Sequence, residues 1–324
     1  MTGFTRRTAV ATVALGAAFS LCFSAGSARA EYPEKPVEMT ILFGGTANAI
    51  GQLLADLMSK EMPVQVVPVS RTGGGGAVGY SHVQGTPADG YNIVWNSNSI
   101  STSHYNGNMP YDHEDFAPIA RVSTEVPALA VRADKGWDSL QDMAEDVRSS
   151  GSKLKVGISG RGSFTHLTSA ALFKALGLED DVVYIPYGRG KAPAELLGGR
   201  IDAAVQWPGQ FISHAEAGDL DILAVTSAER IDALPDVPTA REQGADVDIT
   251  MWRGLAAPAG TPAERLVALE AAAERAVNTE AFQDAAKRIG FTPAFLPHDA
   301  FAALIVEDDQ RIGALMADLG LKKQ

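Results

Sequence analysis

Ser159, Gly160, Arg161, Gly162, Ser163, Thr165 and His166 put hydroxyls, glycines, a guanidinium and an imidazole into one short stretch between the strand-like Lys155 to Ile158 and an apolar helical run. Two chemistries compete for that spacing. A serine hydrolase elbow reads Gly-x-Ser-x-Gly, and Arg161 stands where its second glycine is needed. Ser163 and His166 are three residues apart, which suits a serine capping a helix and a histidine packing on it better than a catalytic triad. The other chemistry is anion binding. A capped helix start offers unpaired amides and partial positive charge, and Arg161 adds a cation suited to a carboxylate. Binding is the main reading; a secreted α/β hydrolase using Ser159 or Ser163 with His166 is the alternative.

Three further loops share this form. Phe43-Gly44-Gly45-Thr46-Ala47-Asn48 joins a strand to a helix, and Tyr187-Gly188-Arg189-Gly190-Lys191 places two cations ahead of another. The third, Arg71-Thr72-Gly73 through Gly79, contains Gly74-x-Gly76-x-x-Gly79, but a dinucleotide site also wants an acid at the end of the next strand. That strand ends Val94-Trp95-Asn96-Ser97-Asn98, so the glycines are expected to supply positive φ in a turn. Gln206 and Trp207, at the end of a later strand, offer an amide and an apolar wall. The histidines other than His166 are scattered and the carboxylates dispersed, so no metal site and no cofactor are expected.

The elements that must position these loops alternate in type. Strands are expected at Val37 to Phe43, Val64 to Val69, Asn92 to Asn96, Ala128 to Arg132, Lys155 to Ile158, Val182 to Ile185, Ala203 to Gln206 and Ile222 to Thr226. Helices are expected at Ala49 to Ser59, Ala77 to Gln84, Ser139 to Ser149, Ser163 to Leu176, Ala192 to Leu197 and Pro208 to Ala217. Strand, loop, helix, strand is the pattern of an α/β fold with parallel sheets, in which ligands lie beyond the carboxyl ends of strands. Thr261-Pro262-Ala263-Glu264 has capping-box spacing ahead of a further helix, Arg265 to Val277.

Residues 1 to 30 read as an export signal: Arg6 and Arg7, an uncharged run from Thr8 to Ala28, and a small-residue cleavage pattern ending at Ala30. Ala9 fits a twin-arginine signal poorly and Leu21 before Cys22 fits a lipid-anchor site poorly. Cys22 is the single cysteine, so the exported chain has no thiol for a disulfide, a nucleophile or a metal. The net charge is −12, and the signal carries arginines but no acid, so the remainder is more negative still. That balance disfavours nucleic acid and anionic membranes, and any anionic ligand must be held by local dipoles and placed cations. With 324 residues, two lobes are the length expectation.

The order and spacing of several short motifs resemble the periplasmic solute receptors of tripartite tricarboxylate transporters, the Bug family. They are Arg71-Thr72-Gly73 through Gly79, Ala88-Asp89-Gly90-Tyr91, Ser159-Gly160-Arg161-Gly162-Ser163 with His166-Leu167, Leu197-Gly198-Gly199-Arg200-Ile201-Asp202, Leu234-Pro235-Asp236-Val237-Pro238-Thr239 and Ala257-Pro258-Ala259-Gly260-Thr261-Pro262. The resemblance runs through nearly all of the chain after residue 30. It implies a type II-like Venus flytrap: two lobes, each a mainly parallel sheet flanked by helices, joined by a hinge of two crossing strands. Residues 31–130 with 251–324 would form one lobe and 131–250 the other.

The implied function is capture of a small organic carboxylate in the periplasm and delivery to a two-component membrane permease, by a monomer that is not an enzyme. Carried over by position, Gly45, Thr46, Asn48, Ser159, Gly162, Ser163 and Thr165 would face the ligand. Adding Phe43, Ser97, the cations Arg161 and Arg189, and Gln206 with Trp207 completes the expected ligand-binding set. The chain departs from the family pattern in a shortened first loop, with Asn48 in place of an Asp, and in Arg161, where a smaller or uncharged residue is usual. Both departures predict a more cationic pocket.

Overall fold

A computed structural model describes residues 32–188 and 190–323; the expected export signal and Arg189 lie outside the described residues. The described chain forms one compact unit built on two sheets. Its elements are β1 (Val37–Ile41), α1 (Thr46–Glu61), β2 (Val66–Ser70), α2 (Ala77–Gln84), β3 (Asn92–Ser97), α3 (Ser99–Tyr105) and β4 (Phe116–Glu125). β5 (Ala128–Arg132), α4 (Leu140–Ser150), β6 (Leu154–Ile158), α5 (Phe164–Ala175), β7 (Val182–Pro186), α6 (Ala192–Leu197), β8 (Ala203–Gln206), α7 (Ile212–Glu216) and β9 (Leu220–Val225) follow. The chain closes with β10 (Met251–Pro258), α8 (Ala263–Val277), α9 (Glu280–Ile289), β11 (Thr292–Leu296) and α10 (His298–Asp318).

The first sheet has the order β11-β4-β10-β3-β1-β2 and the second β7-β6-β8-β5-β9. Strands joined through helices are parallel, as β1 with β2 and β3, and β6 with β7 and β8. Strands beside the crossings between sheets run the other way: β10 is antiparallel to β3 and β4, and β5 is antiparallel to β8 and β9. Both sheets are therefore mixed, where mainly parallel ones were expected, because strand β5 and strand β10 each enter directly from the opposite lobe with no covering helix to turn them.

The chain leaves the first sheet after Glu125 and joins the second at Ala128, so Ala128 to Ala130, expected with the first lobe, pair in the second sheet. It returns after Ile249, whose N–H donates to Thr226 O (2.8 Å), to enter β10 at Met251.

Helical periodicity accounts for the covering layer. In α1, Ile50, Leu54, Leu57 and Met58 fall on one face and are buried against β1, β2 and α8. Ser139 caps α4 by accepting the Asp142 N–H (3.0 Å), and Gly151 ends it at φ +61°. The expected capping box before α8 does not form. Pro262 takes the cap position, and Thr261 instead donates its hydroxyl to Pro258 O (2.8 Å), because the turn from Pro258 to Thr261 closes on itself.

The longest helix among the described residues, α10, packs against the cores of both sheets. Phe301 and Ile305 pack with Trp252 and Phe116 beside the first sheet, while Ile312 and Met316 join the second sheet's core with Phe173 and Val247. Polar contacts fix it along the way: the Trp252 indole donates to Asp308 (2.8 Å), the Tyr105 hydroxyl to Asp309 (2.6 Å), and Lys174 pairs with Asp318 (2.8 Å).

Candidate solute-binding site

The loops at the facing ends of the two sheets enclose a cavity of about 380 Å³. The first lobe contributes Phe43, the turn from Thr72 to Gly76, and Ser99; the second contributes Ser159 to Arg161, Ser163 to Thr165, Gln206, Trp207 and Gln210. β10, entering the first sheet, adds Met251 and Arg253. Gly73, Gly74, Gly75 and Gly76 all have positive φ, from +57° to +140°, so the four-glycine run is the turn expected of it. What the sequence did not reveal is that this turn forms a wall of the cavity.

The lobes touch around the cavity. Gly162 packs so closely on Asn106 that a Cβ there would overlap the asparagine side chain, and a Cβ on Gly190 would come within 3.2 Å of Gly45 Cα. A Cβ on Gly45 in turn would meet the Gln210 amide at 3.2 Å. The two lobes are thus in contact at the cavity rim, with glycines where they meet.

Of the expected ligand-facing residues, Phe43, Ser159, Arg161, Ser163, Thr165, Gln206 and Trp207 line the cavity together. Gly45 is at the rim contact, and Thr46 is buried as the first residue of α1. Asn48 turns toward β2, where its Oδ1 accepts the Ser70 hydroxyl (3.1 Å). Ser97 is buried at the end of β3, its Oγ accepting the Ser99 N–H (3.3 Å). Gly162 is also buried, with its N–H donated to His166 Nδ1 (3.1 Å). The sequence reading did not name Ser99, Gln210 or Arg253, all of which line the cavity. The signal that could have found one of them was Arg253 itself, a lone charge in the apolar strand MWRGLAAP.

The hydroxyl groups are already organised by one another. Thr165 Oγ1 accepts the Ser159 N–H (2.9 Å) and lies 3.1 Å from Ser163 Oγ, while Ser159 Oγ and the Gln206 amide are 3.2 Å apart. Ser163 Oγ also accepts the His166 N–H and so caps α5. The His166 imidazole accepts from Gly162 through Nδ1 and meets the Tyr184 ring edge-on at 4.8 Å. Burial, with the nearby Arg161 charge, lowers its pKa to about 4, so the ring is neutral at pH 7. No Ser–His pair of the kind a hydrolase needs exists among these residues.

Arg253 and Glu125 form a fully buried ion pair between β10 and β4, with Nε of the arginine donating to Oε2. Burial pushes the Glu125 carboxyl above the usual carboxylate range, against the pull of Arg253. The guanidinium also stacks over Trp207 of the other lobe, 5.2 Å from the ring centroid. Among the described residues no group of three or more His, Cys, Asp or Glu is placed to hold a metal, and no helix is long and apolar enough to cross a membrane.

Two lobes of mixed sheet meeting around a small cavity define a solute-binding protein of the periplasmic type. Residues 50–321 match the tripartite tricarboxylate transporter family receptor, TctC, and the chain belongs to that family. Among its relatives, a protein of Agrobacterium vitis from the ttuE-ttuC' intergenic region is 33% identical over 73% of this chain and 69% of its own. Protein BugT of Bordetella pertussis is 28% identical over 90% of this chain and 91% of its own. The periplasmic binding protein BugD superposes with a TM-score of 0.82 at 29% identity, covering 90% of this chain and all of that one. The R. palustris protein Rpa4515, solved with adipate, gives 0.83 at 25% identity over 90% of this chain and 99% of that one.

Proposed function

We propose that this receptor captures a small organic carboxylate in the closed cavity, exported to the periplasm as a monomer, and hands it to a two-component membrane permease without chemical change. The observation that carries the reading is the lining. Among the described residues, two arginines, several hydroxyls, a glycine turn and the start of α5 surround about 380 Å³, and no Asp or Glu lines it. That volume lies toward the lower end of the range for small-molecule sites, roughly 300–1,000 Å³. Helix-start amides and hydroxyls suit an anion, and lobe closure shields them from water, where electrostatic contacts strengthen. The adipate bound to Rpa4515 supports the same solute class.

In this reading the hinge consists of the two links between the sheets, at 126–127 and around Thr250, and the lobes are residues 32–125 with 251–323, and 128–249. The ligand-facing residues are Phe43, Ser159, Arg161, Ser163, Thr165, Gln206 and Trp207. A thermal-shift screen of the chain lacking residues 1–30, against mono-, di-, tri- and aromatic carboxylates with sugars and neutral amides as controls, tests this. A carboxylate at 100-fold its Kd adds about 2.7 kcal/mol to stability. Stabilisation by neutral solutes alone refutes the carboxylate reading.

A further inference from the structure

All eight residues of β10 are buried, and a guanidinium in such a strand is costly unless its donors are answered. The register sets Arg253 opposite Ser97 of β3 and Ser123 of β4, with Glu125 two residues along on the same face. Together these make a polar row inside the sheet at the end that meets the cavity. Glu125 answers Nε only. Arg253 Nη1 has no hydrogen-bond partner, although the residue is only 1% exposed, and the same holds for Glu125 Oε1 and for the hydroxyls of Ser99 and Ser123. Arg253, Ser99 and the stacked Trp207 all line the cavity.

Buried polar groups are nearly always satisfied, so this much unused capacity beside a solute-sized space calls for a polar guest. The character of the guest follows from the donors. Nη1 can only donate and carries charge, and a serine hydroxyl can donate with it, which suits an oxygen-rich anion. Arg161 differs from Arg253 in place: it is exposed, whereas Arg253 is held rigidly from two sides.

We propose that Arg253 is a specificity-determining residue that binds a ligand carboxylate through its guanidinium at the inner end of the cavity, with Glu125 as the positioning residue that aims it. This rests on the carboxylate reading above. Because Trp207 belongs to the second lobe and Arg253 to the first sheet, a carboxylate bound here also joins the two lobes.

The test is a cycle between protein and ligand. A stabilising carboxylate and its carboxamide analogues, one for each carboxyl group, are titrated calorimetrically into the wild type, Arg253→Lys and the double variant Glu125→Gln/Arg253→Gln. The double variant removes both charges, so that neither is left buried alone. The wild type is expected to prefer one particular carboxylate over its amide by about 10- to 100-fold, the range of a charge-assisted hydrogen bond. In the double variant that preference falls to within a few fold, and Arg253→Lys retains only part of it. A preference unchanged in both variants overturns the assignment, leaving Arg253 a structural tie between strands while the carboxylate function stands. If the wild type binds no carboxylate, both readings fall together.

Discussion

Lowering the pH from 7 to 4 perturbs one buried group whose response follows from its surroundings. The His166 ring is 5% exposed, and its Nδ1 accepts the Gly162 N–H at 3.1 Å, so protonation there would set donor against donor in a site with little water. Its pKa is about 4 in the folded chain against 6.5 for a free imidazole. Between those values the unfolded chain binds a proton that the folded chain does not, so stability falls as pH falls through the window and is unaffected by this group above it. At 1.36 kcal/mol per unit, the full effect is about 3 kcal/mol. Urea unfolding of wild type and His166→Gln from pH 7 to 4 isolates the contribution, since the glutamine carbonyl can accept the same N–H without titrating. The wild type should lose about 3 kcal/mol more than the variant over this range. An imidazole NMR titration midpoint near 6.5 for His166, or parallel pH profiles for the two proteins, would overturn this account of the buried ring.

Two further outcomes separate closure from stability. Gly162 and Gly151 both have left-handed backbone, φ +71° and +61°, but Gly162 abuts Asn106 across the cleft, whereas a Cβ added to Gly151 would meet no atom within 4 Å. Alanine at either should cost about 1–2 kcal/mol of stability, while Gly162→Ala alone weakens ligand binding by about tenfold or more; equal affinities by calorimetry would show that the rims need not meet. Met316→Ala, which empties a fully buried site in the second sheet's core, should cost about 2–5 kcal/mol in chemical denaturation. A loss under about 1 kcal/mol would mean that α10 does not hold that lobe.

Legibility in the sequence tracked how far local pattern decided the outcome. The apolar runs Ala128 to Arg132 and Ala203 to Gln206, and the helices Ala77 to Gln84 and Ala192 to Leu197, have the expected bounds because composition and flanking turns agree. α3, SISTSHY, carries no apolar period and is nevertheless buried from Ser99 to Ser103, so long-range contacts made it a helix. β4 includes Pro118 and charged residues, and it is a strand because β10 and β11 flank it. The cavity shows the same division. Ser159, Ser163 and Thr165 belong to one loop and could be read together, whereas Arg253 reaches the site through pairing with β3 and β4, which spacing along the chain does not encode. Asn48 shows the converse: its position ahead of a helix looked suited to a ligand, yet Ser70 takes its side chain.

The path of α10 bears on the order in which the molecule can assemble. Each lobe buries part of this one helix, and the first lobe also needs β10 and β11, which are among the last strands made. Neither lobe can finish its core from the residues that precede β10, so the early part of the chain has to wait for the late part. Contacts of such long sequence separation slow folding and favour a single cooperative transition over two lobe-sized ones. A chain still being made would therefore remain incomplete in both halves until α10 was available.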